Sequence, residues 1–97
     1  MTLDERKTYA EKLADKLPTL RKEFGVSQQA LADKAGLSRS TITKVEGKRQ
    51  TLPWSTFLAL FLIFKGNSET AKLLKAFEID TDDVNAFLSG NNVEGLQ

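Results

Sequence analysis

Residues 25–47, GVSQQALADKAGLSRSTITKVEG, decide the fold of this chain. Glycine recurs every eleven residues, at Gly25, Gly36 and Gly47, and the first two are each followed by a hydrophobic residue and a serine. A serine before a helix can accept a hydrogen bond from a free first-turn amide, and a glycine after it can adopt the left-handed conformation that ends the helix. The stretch therefore predicts two short helices of roughly eight residues, separated by a tight turn.

Ser27 and Ser38 are the expected N-caps of these two helices. In both, the residue before the serine and the residue four positions after it are apolar, as in a hydrophobic staple. The two staples are Val26 with Leu31 and Leu37 with Ile42. An eleven-residue coiled-coil repeat would also have this period, but it would place a glycine inside the helix at every repeat, so we reject it.

The segment before Gly25 also has helical periodicity. Thr2 and Glu5 fit a capping box at its start. Pro18 lacks an amide proton, which predicts a break or kink near Leu17 and, if the helix breaks, a second short helix that ends at Gly25. The apolar stripe of this segment consists of Leu3, Ala10, Leu13, Ala14, Leu17, Leu20 and Phe24.

Three further helices are predicted after the loop at residues 47–52. The fourth begins at Pro53 or Trp54, ends at Phe64 before Gly66, and is apolar nearly all round, which predicts burial on more than one side. The remaining limits are Asn67 or Ser68 to about Phe77 for the fifth helix, and Asp80 or Thr81 to about Leu88 for the sixth, with Val84, Phe87 and Leu88 facing inward. We expect an all-α chain of five to six short helices forming one domain over residues 1–97, with a core at 13–64, an extension at 65–89 and a frayed tail at 90–97.

Composition restricts the function. The chain of 97 residues contains no cysteine and no histidine, so it lacks the commonest metal ligands and the commonest general base, and we expect no enzyme activity, metal or cofactor. Asp80, Asp82 and Asp83 could form a metal cluster, but such a run at the start of a helix is far more often capping and compensation of the helix dipole. The N-terminus has no apolar signal region and residues 52–64 are too short to span a bilayer, so we expect a cytoplasmic protein without a membrane partner.

Charge is distributed unevenly along the chain. Residues 1–50 contain eleven Lys and Arg against seven Asp and Glu, whereas residues 51–97 contain three against six. A basic half that includes the two capped helices indicates a surface that faces a polyanion.

Two short helices joined by a tight turn are the helix-turn-helix unit, whose second helix enters the major groove of DNA. The segment SQQALADKAGLSRSTITKVEGKR resembles the DNA-binding domain of the Cro/C1 (XRE) family of bacterial and phage repressors. The shared features are the Ser-Gln opening, the Leu-Ala pair, the turn glycine, a serine-capped recognition helix and a Glu-Gly-Lys-Arg close. The resemblance covers residues 13–64 and implies a lambda-repressor-like fold that binds double-stranded DNA, usually as a dimer on a near-palindromic operator.

The expected recognition helix, residues 39–46, has one apolar and one polar face. Ile42 and Val45 are three residues apart and face the core. Arg39 has the fork geometry for guanine O6 and N7, and Thr43 can offer its methyl group to thymine. The four candidate base-reading residues are Arg39, Ser40, Thr43 and Lys44. The alternative is that these side chains form only the solvated face of a helix.

Phosphate contacts are expected around this helix. Gln28 is the first residue of the preceding helix, beside free amides and the positive end of its dipole. The candidate phosphate-binding residues are Gln28, Gln29, Ser38, Lys48, Arg49 and Arg21. The resemblance implies that Arg21 also pairs with Glu46 and so fixes the recognition helix. The chain departs from the family pattern at Gly47, which follows Glu46 directly where Asn-Gly is common, and at Pro18.

These observations favour a sequence-specific DNA-binding transcriptional regulator, a repressor that dimerises through residues 53–89. The alternative is the antitoxin of a toxin-antitoxin pair, which would bind DNA to regulate itself and engage a toxin through residues 65–97. Either protein would have DNA as its partner.

Overall fold

The computed structural model describes residues 1–90, and this part of the chain contains six helices and no strand. The helices are α1 (Leu3–Phe24), α2 (Gln28–Ala35), α3 (Arg39–Glu46), α4 (Trp54–Lys65), α5 (Ser68–Ala76) and α6 (Asp82–Leu88). The predicted all-α fold is confirmed. Residues 91–97, which make up most of the predicted frayed tail, lie outside the described residues.

The caps of α2 and α3 are those predicted from the repeat. Ser27 Oγ accepts a hydrogen bond from the Ala30 amide at 3.0 Å, and Ser38 Oγ accepts one from the Thr41 amide at 3.1 Å. Gly36 ends α2 in the left-handed conformation, with φ 71°. The two helices therefore begin at defined residues, and the turn between them is short and fixed by local hydrogen bonds.

Of the two outcomes predicted at Pro18, the break is wrong, because α1 continues through this residue, and the kink stays a prediction. Proline deprives the carbonyl of Ala14 of its helical partner and costs about 3 kcal/mol inside a helix. Leu17 and Leu20, on either side of Pro18, are fully buried. Burial of a leucine contributes about 1.5–3 kcal/mol, so the two together match or exceed the cost of the proline and help to keep the helix continuous.

The end of α3 differs from the ends of α1 and α2. Gly47 follows the helix as predicted, but its φ is −83°, and Lys48 adopts the left-handed conformation with φ 59°. The Lys48 amide bonds the Val45 carbonyl at 3.1 Å. The Arg49 amide bonds the Lys44 carbonyl at 2.8 Å, which completes a Schellman motif. The glycine therefore lies one residue before the position that favours it.

Replacing Lys48 with glycine is expected to stabilise the protein by about 1 kcal/mol relative to replacing it with alanine, because only alanine keeps a Cβ at a left-handed position. Both variants remove the lysine side chain, so their difference isolates the backbone conformation. The midpoints of urea unfolding measure this difference. Equal midpoints for Lys48→Gly and Lys48→Ala would show that this position is not strained.

The core is shared by all six helices, and α4 contributes its largest side chains. Phe57, Leu60, Phe61 and Phe64 are fully buried, as predicted for a helix with more than one covered side. Leu62, on the remaining side of α4, is 57% exposed. Within the range 1–90, no helix combines the length and the apolar character needed to cross a bilayer.

Two leucines that were predicted to face inward do not. Leu3 is 78% exposed and Leu88 is 37% exposed. Leu3 is the first residue of α1 and Leu88 is the last residue of α6, whereas the first core residue of α1 is Ala10. Both leucines therefore lie at helix ends, outside the buried part of the core.

Asp80 has a structural role at the junction of α5 and α6. Its side chain is 1% exposed, accepts a hydrogen bond from Asn85 Nδ2 at 2.6 Å and lies 3.3 Å from Lys75 Nζ and 3.7 Å from Lys65 Nζ. Burial raises the pKa of Asp80, but the bonds from Asn85 and Lys75 and the two lysine charges outweigh it, so its pKa is lowered.

Asp82 and Asp83 lie in the first turn of α6, directly after its N-cap Thr81. No group of three or more potential ligands in the described part of the chain is placed to hold a metal ion.

Contacts across the chain join α1 to the C-terminal helices. The hydroxyl groups of Tyr9 and Thr81 are 2.8 Å apart, and Thr81 is also the N-cap of α6. Trp54 stacks on Phe57 and meets Phe87 edge to ring. The start of α6 is thus held against α1, and its end contacts α4.

Candidate nucleic-acid interface

The predicted recognition helix, α3, presents the polar face expected from its sequence. Ile42 and Val45 are each 1% exposed and hold the helix on the core. Arg39, Ser40 and Lys44 are exposed, and Thr43 is half-buried. The predicted base-reading residues therefore lie away from the core, with Thr43 closest to the neighbouring helix.

An ion pair anchors the end of α3 to α1. Arg21 Nε donates to Glu46 Oε2 at 2.9 Å, and Arg21 Nη2 donates to Glu46 Oε1 at 3.2 Å. The Arg21 side chain is 16% exposed and that of Glu46 is 9% exposed. A bidentate pair of this kind fixes orientation as well as distance. The ion pair implied by the family resemblance is present.

The same arginine also connects α1 to the turn before α2. Arg21 Nη1 donates to the carbonyl of Val26 at 3.3 Å. The hydrogen bond from Arg21 to the carboxylate of Glu46, together with the charge of that carboxylate, raises the pKa of Arg21 despite partial burial. Arg21 therefore stays charged and ties three segments of the unit together.

Gln28 extends this network to the middle of α3. Its Nε2 donates to Glu46 Oε1 at 3.0 Å, and its Oε1 accepts a hydrogen bond from the Thr43 hydroxyl at 3.0 Å. The sequence predicted separate roles for Gln28, in binding phosphate, and for Thr43, in reading bases. The structure brings the two side chains into contact, and both DNA roles stay predictions.

Two other candidate phosphate-binding residues have local partners. Gln29 Nε2 donates to Asp33 Oδ1 at 2.8 Å, one turn along α2. The Ser38 hydroxyl caps α3 and lies 3.0 Å from the Thr41 hydroxyl. Both Gln29 and Ser38 are exposed, so a phosphate can reach them from solvent.

The loop after α3 carries the basic pair Lys48 and Arg49, both exposed. Lys48 Nζ lies 2.9 Å from Asp15 Oδ1, and the hydrogen bond and charge of Lys48 lower the pKa of Asp15. Sequence reasoning missed Asp15, because it lies 33 positions away and nothing in the local pattern links the two residues. The Lys48 ammonium is thus already held by a carboxylate on the side of α1.

A shallow concave surface gathers several of the predicted residues. It is lined by Arg21, Ser27, Gln28, Gln29 and Arg39, which come from the end of α1, the start of α2 and the start of α3. The capped start of α2 lies at this surface, where its amides and dipole favour an anion. Lys48 and Arg49 do not line it and belong to the loop at the other end of α3.

Comparison with known proteins agrees with this arrangement. A family model described as a helix-turn-helix domain matches residues 12–63, more than half of the chain and close to the segment assigned from the motif. Searches of curated proteins and of solved structures gave no match. With its capped α2 and α3, its left-handed turn glycine and its largely buried Arg21–Glu46 pair, the chain belongs to the helix-turn-helix domain family, in its Cro/C1 (XRE) type.

Proposed function

We propose that the protein is a sequence-specific transcriptional regulator, without catalytic activity of its own, that binds operator DNA as a dimeric repressor in the cytoplasm. The observation that carries this proposal is the recognition helix. Its inner face is fixed by Ile42, Val45 and the ion pair at Glu46, while its outer face offers Arg39, Ser40 and Lys44 to a groove. A rigid helix with exposed polar ends is what major-groove reading requires.

Sequence preference in this proposal comes mainly from Arg39. It is exposed at the first residue of α3, so its fork of donors can meet O6 and N7 of a guanine. Ser40 and Lys44 lie one turn apart and contact neighbouring bases or phosphates. The start of α3 thus reads bases, and the surrounding residues set its register.

Affinity comes from contacts to the DNA backbone on both sides of α3. Gln28, Gln29 and Arg21 at the concave surface and Ser38 at the cap hold one phosphate strand. Lys48 and Arg49 hold the adjoining backbone, and Lys48 must exchange Asp15 for a phosphate when it binds. Such contacts add salt-dependent affinity without reading sequence.

Dimerisation is assigned to the half that follows residue 52. Leu62 is the most exposed large apolar residue of α4, and the second half of the chain has an acidic excess that would keep it away from DNA. A second copy that covers Leu62 would place two α3 helices on one operator, with half-sites about 34 Å apart.

The antitoxin alternative differs in what residues 65–97 do. Over the described part of that range, Leu74 of α5, Ile79 of the segment between the helices and Val84 of α6 belong to the core, all fully buried. This favours a regulator, because these residues are engaged within the chain itself. A toxin-like reading frame beside the gene, and a stable complex between the two products, would favour the antitoxin instead.

Binding to the DNA upstream of its own gene, measured across a salt series, tests the proposal. We expect a dissociation constant of roughly 10⁻⁸–10⁻¹¹ M for the preferred site. Affinity should fall about a thousandfold between roughly 50 and 200 mM salt if about six phosphates are neutralised. Equal affinity for this DNA and for random DNA at low salt would show that the proposal is wrong.

Two arginine variants separate base recognition from phosphate binding. Arg39→Ala is expected to lose about 1–3 kcal/mol of discrimination at one base pair. Arg49→Ala is expected to weaken all sequences alike and to reduce the salt slope by about one. Selection of bound sequences from a random library measures both effects. If the two variants change preference in the same way, the division of roles between α3 and the following loop fails.

A further inference from the structure

The network around Glu46 leaves no freedom in the direction of its hydrogen bonds. Arg21 can only donate, and the carboxylate of Glu46 can only accept. Gln28 must therefore direct its amide nitrogen at Glu46, which agrees with the 3.0 Å bond between Nε2 and Oε1. The two ends of an amide group cannot be interchanged here without placing two acceptors face to face.

This orientation determines what Thr43 can do. With its nitrogen on Glu46, Gln28 turns its oxygen towards Thr43, 3.0 Å from the hydroxyl oxygen. An amide oxygen only accepts, so Thr43 must give its single hydroxyl proton to Gln28. Because its proton is already donated, the hydroxyl oxygen of Thr43 can only accept a hydrogen bond from any further partner.

The base edges of the major groove differ in what they offer such a group. Adenine N6 and cytosine N4 are donors, whereas guanine O6 and N7 and thymine O4 are acceptors. We propose that Thr43, held as an acceptor by Gln28 and Glu46, selects an exocyclic amino group at the operator position that it faces. This inference rests on the proposed function, and in it Gln28 and Glu46 are positioning residues that set a base preference without touching the base.

The magnitude follows from a single neutral hydrogen bond. We expect about a fivefold preference for adenine or cytosine over guanine as the base nearest the hydroxyl. Thr43→Ser keeps the hydroxyl and should keep the preference. Thr43→Val keeps the shape and one methyl group but removes the hydroxyl, and should abolish the preference at one operator position while leaving that of Arg39.

Gln28→Met tests the chain of hydrogen bonds from Glu46 through Gln28 to Thr43. It removes the amide oxygen that accepts the hydroxyl proton of Thr43, while both bonds from Arg21 to Glu46 are kept. The hydroxyl is then free to donate to guanine as well as to accept from an amino group. The fivefold amino preference should disappear and guanine should be admitted at that position, whereas a loss of phosphate binding by Gln28 would weaken all sequences alike.

The experiment is a selection of bound sequences from random DNA with the wild-type protein and the three variants, each checked for folding by its thermal melt. Gln50→Met is the control, because it makes the same chemical change at an exposed position outside the network and should leave every preference unchanged. Preserved amino preference in Thr43→Val or in folded Gln28→Met would overturn the inference, as would its loss in Thr43→Ser. If Gln28→Met does not fold, the serine and valine pair decides. A wild-type protein that selects no sequence would instead refute the proposed function, and this inference with it.

Discussion

Arg21→Met is expected to lower the free energy of unfolding by about 3 kcal/mol, the lower end for breaking a buried pair, because it leaves a largely buried carboxylate without its counter-charge. Glu46 is 9% exposed and receives two of its hydrogen bonds from Arg21. Methionine keeps an apolar stem of similar length, so the loss reports on the charge and hydrogen bonds more than on packing. Small domains are stable by only about 5–15 kcal/mol, so such a loss removes a large part of the total.

Urea unfolding followed by the fluorescence of Trp54, the single tryptophan of the chain, measures this loss. Trp54 stacks on Phe57 in the core, so its environment changes when the protein unfolds. Adding Glu46→Leu to Arg21→Met should recover much of the stability, since no uncompensated charge then stays buried. Lys22→Met, at the exposed neighbouring position, is the matched control and should change stability by no more than about 0.5 kcal/mol. An Arg21→Met midpoint equal to that of Lys22→Met would show that the pair does not support α3.

If the protein forms the proposed dimer, Leu62→Glu is expected to convert it to a monomer and to weaken binding to a two-half-site operator by about 100-fold or more. In a dimer, binding to the second half-site is effectively intramolecular, and this advantage is about 10²–10⁴. Leu62 is 57% exposed on α4, so glutamate there should not disturb the fold of one chain. Sedimentation measures the oligomeric state, and titration of an operator with one or two half-sites measures the affinity.

Leu3→Glu is the control for this prediction. Leu3 is 78% exposed but lies at the start of α1, outside the assigned interface at residues 53–89. We expect Leu3→Glu to leave both the dimer and the operator affinity unchanged. Dissociation caused by Leu3→Glu, or a dimer that survives Leu62→Glu, would show that the interface lies elsewhere. A wild-type protein that sediments as a monomer would show that the protein does not dimerise.

The parts of the fold that depend on local chemistry could be predicted from the sequence. Ser27 and Ser38 cap their own helices within three residues, and Gly36 ends α2 through its own backbone conformation. Each of these residues therefore acts on the part of the chain next to it in the sequence. The break predicted at Pro18 was wrong because the cost of the proline is local, whereas the burial of Leu17 and Leu20 that offsets it depends on other helices. Periodicity alone cannot measure that burial.

In the candidate site, too, local features could be predicted and contacts between distant segments could not. The polar face of α3 follows from the spacing of its apolar residues, and the Arg21–Glu46 pair followed from the family resemblance. The bonds from Thr43 to Gln28 and from Lys48 to Asp15 could not be predicted, because each joins side chains from two helices or from a helix and a distant loop. Their formation depends on how those elements are placed, to within about an ångström.

The boundary of the matched family segment is not the boundary of the cooperative unit. The match ends at residue 63, yet Leu74, Ile79 and Val84 are as fully buried as any residue within it. The Thr70 hydroxyl also donates to the carbonyl of Phe64 at 2.6 Å, across the end of α4. A partner that binds the outer surface of α5 or α6 would therefore stabilise the same folded state that positions α3, and its binding would be thermodynamically linked to DNA occupancy without any contact between the two surfaces.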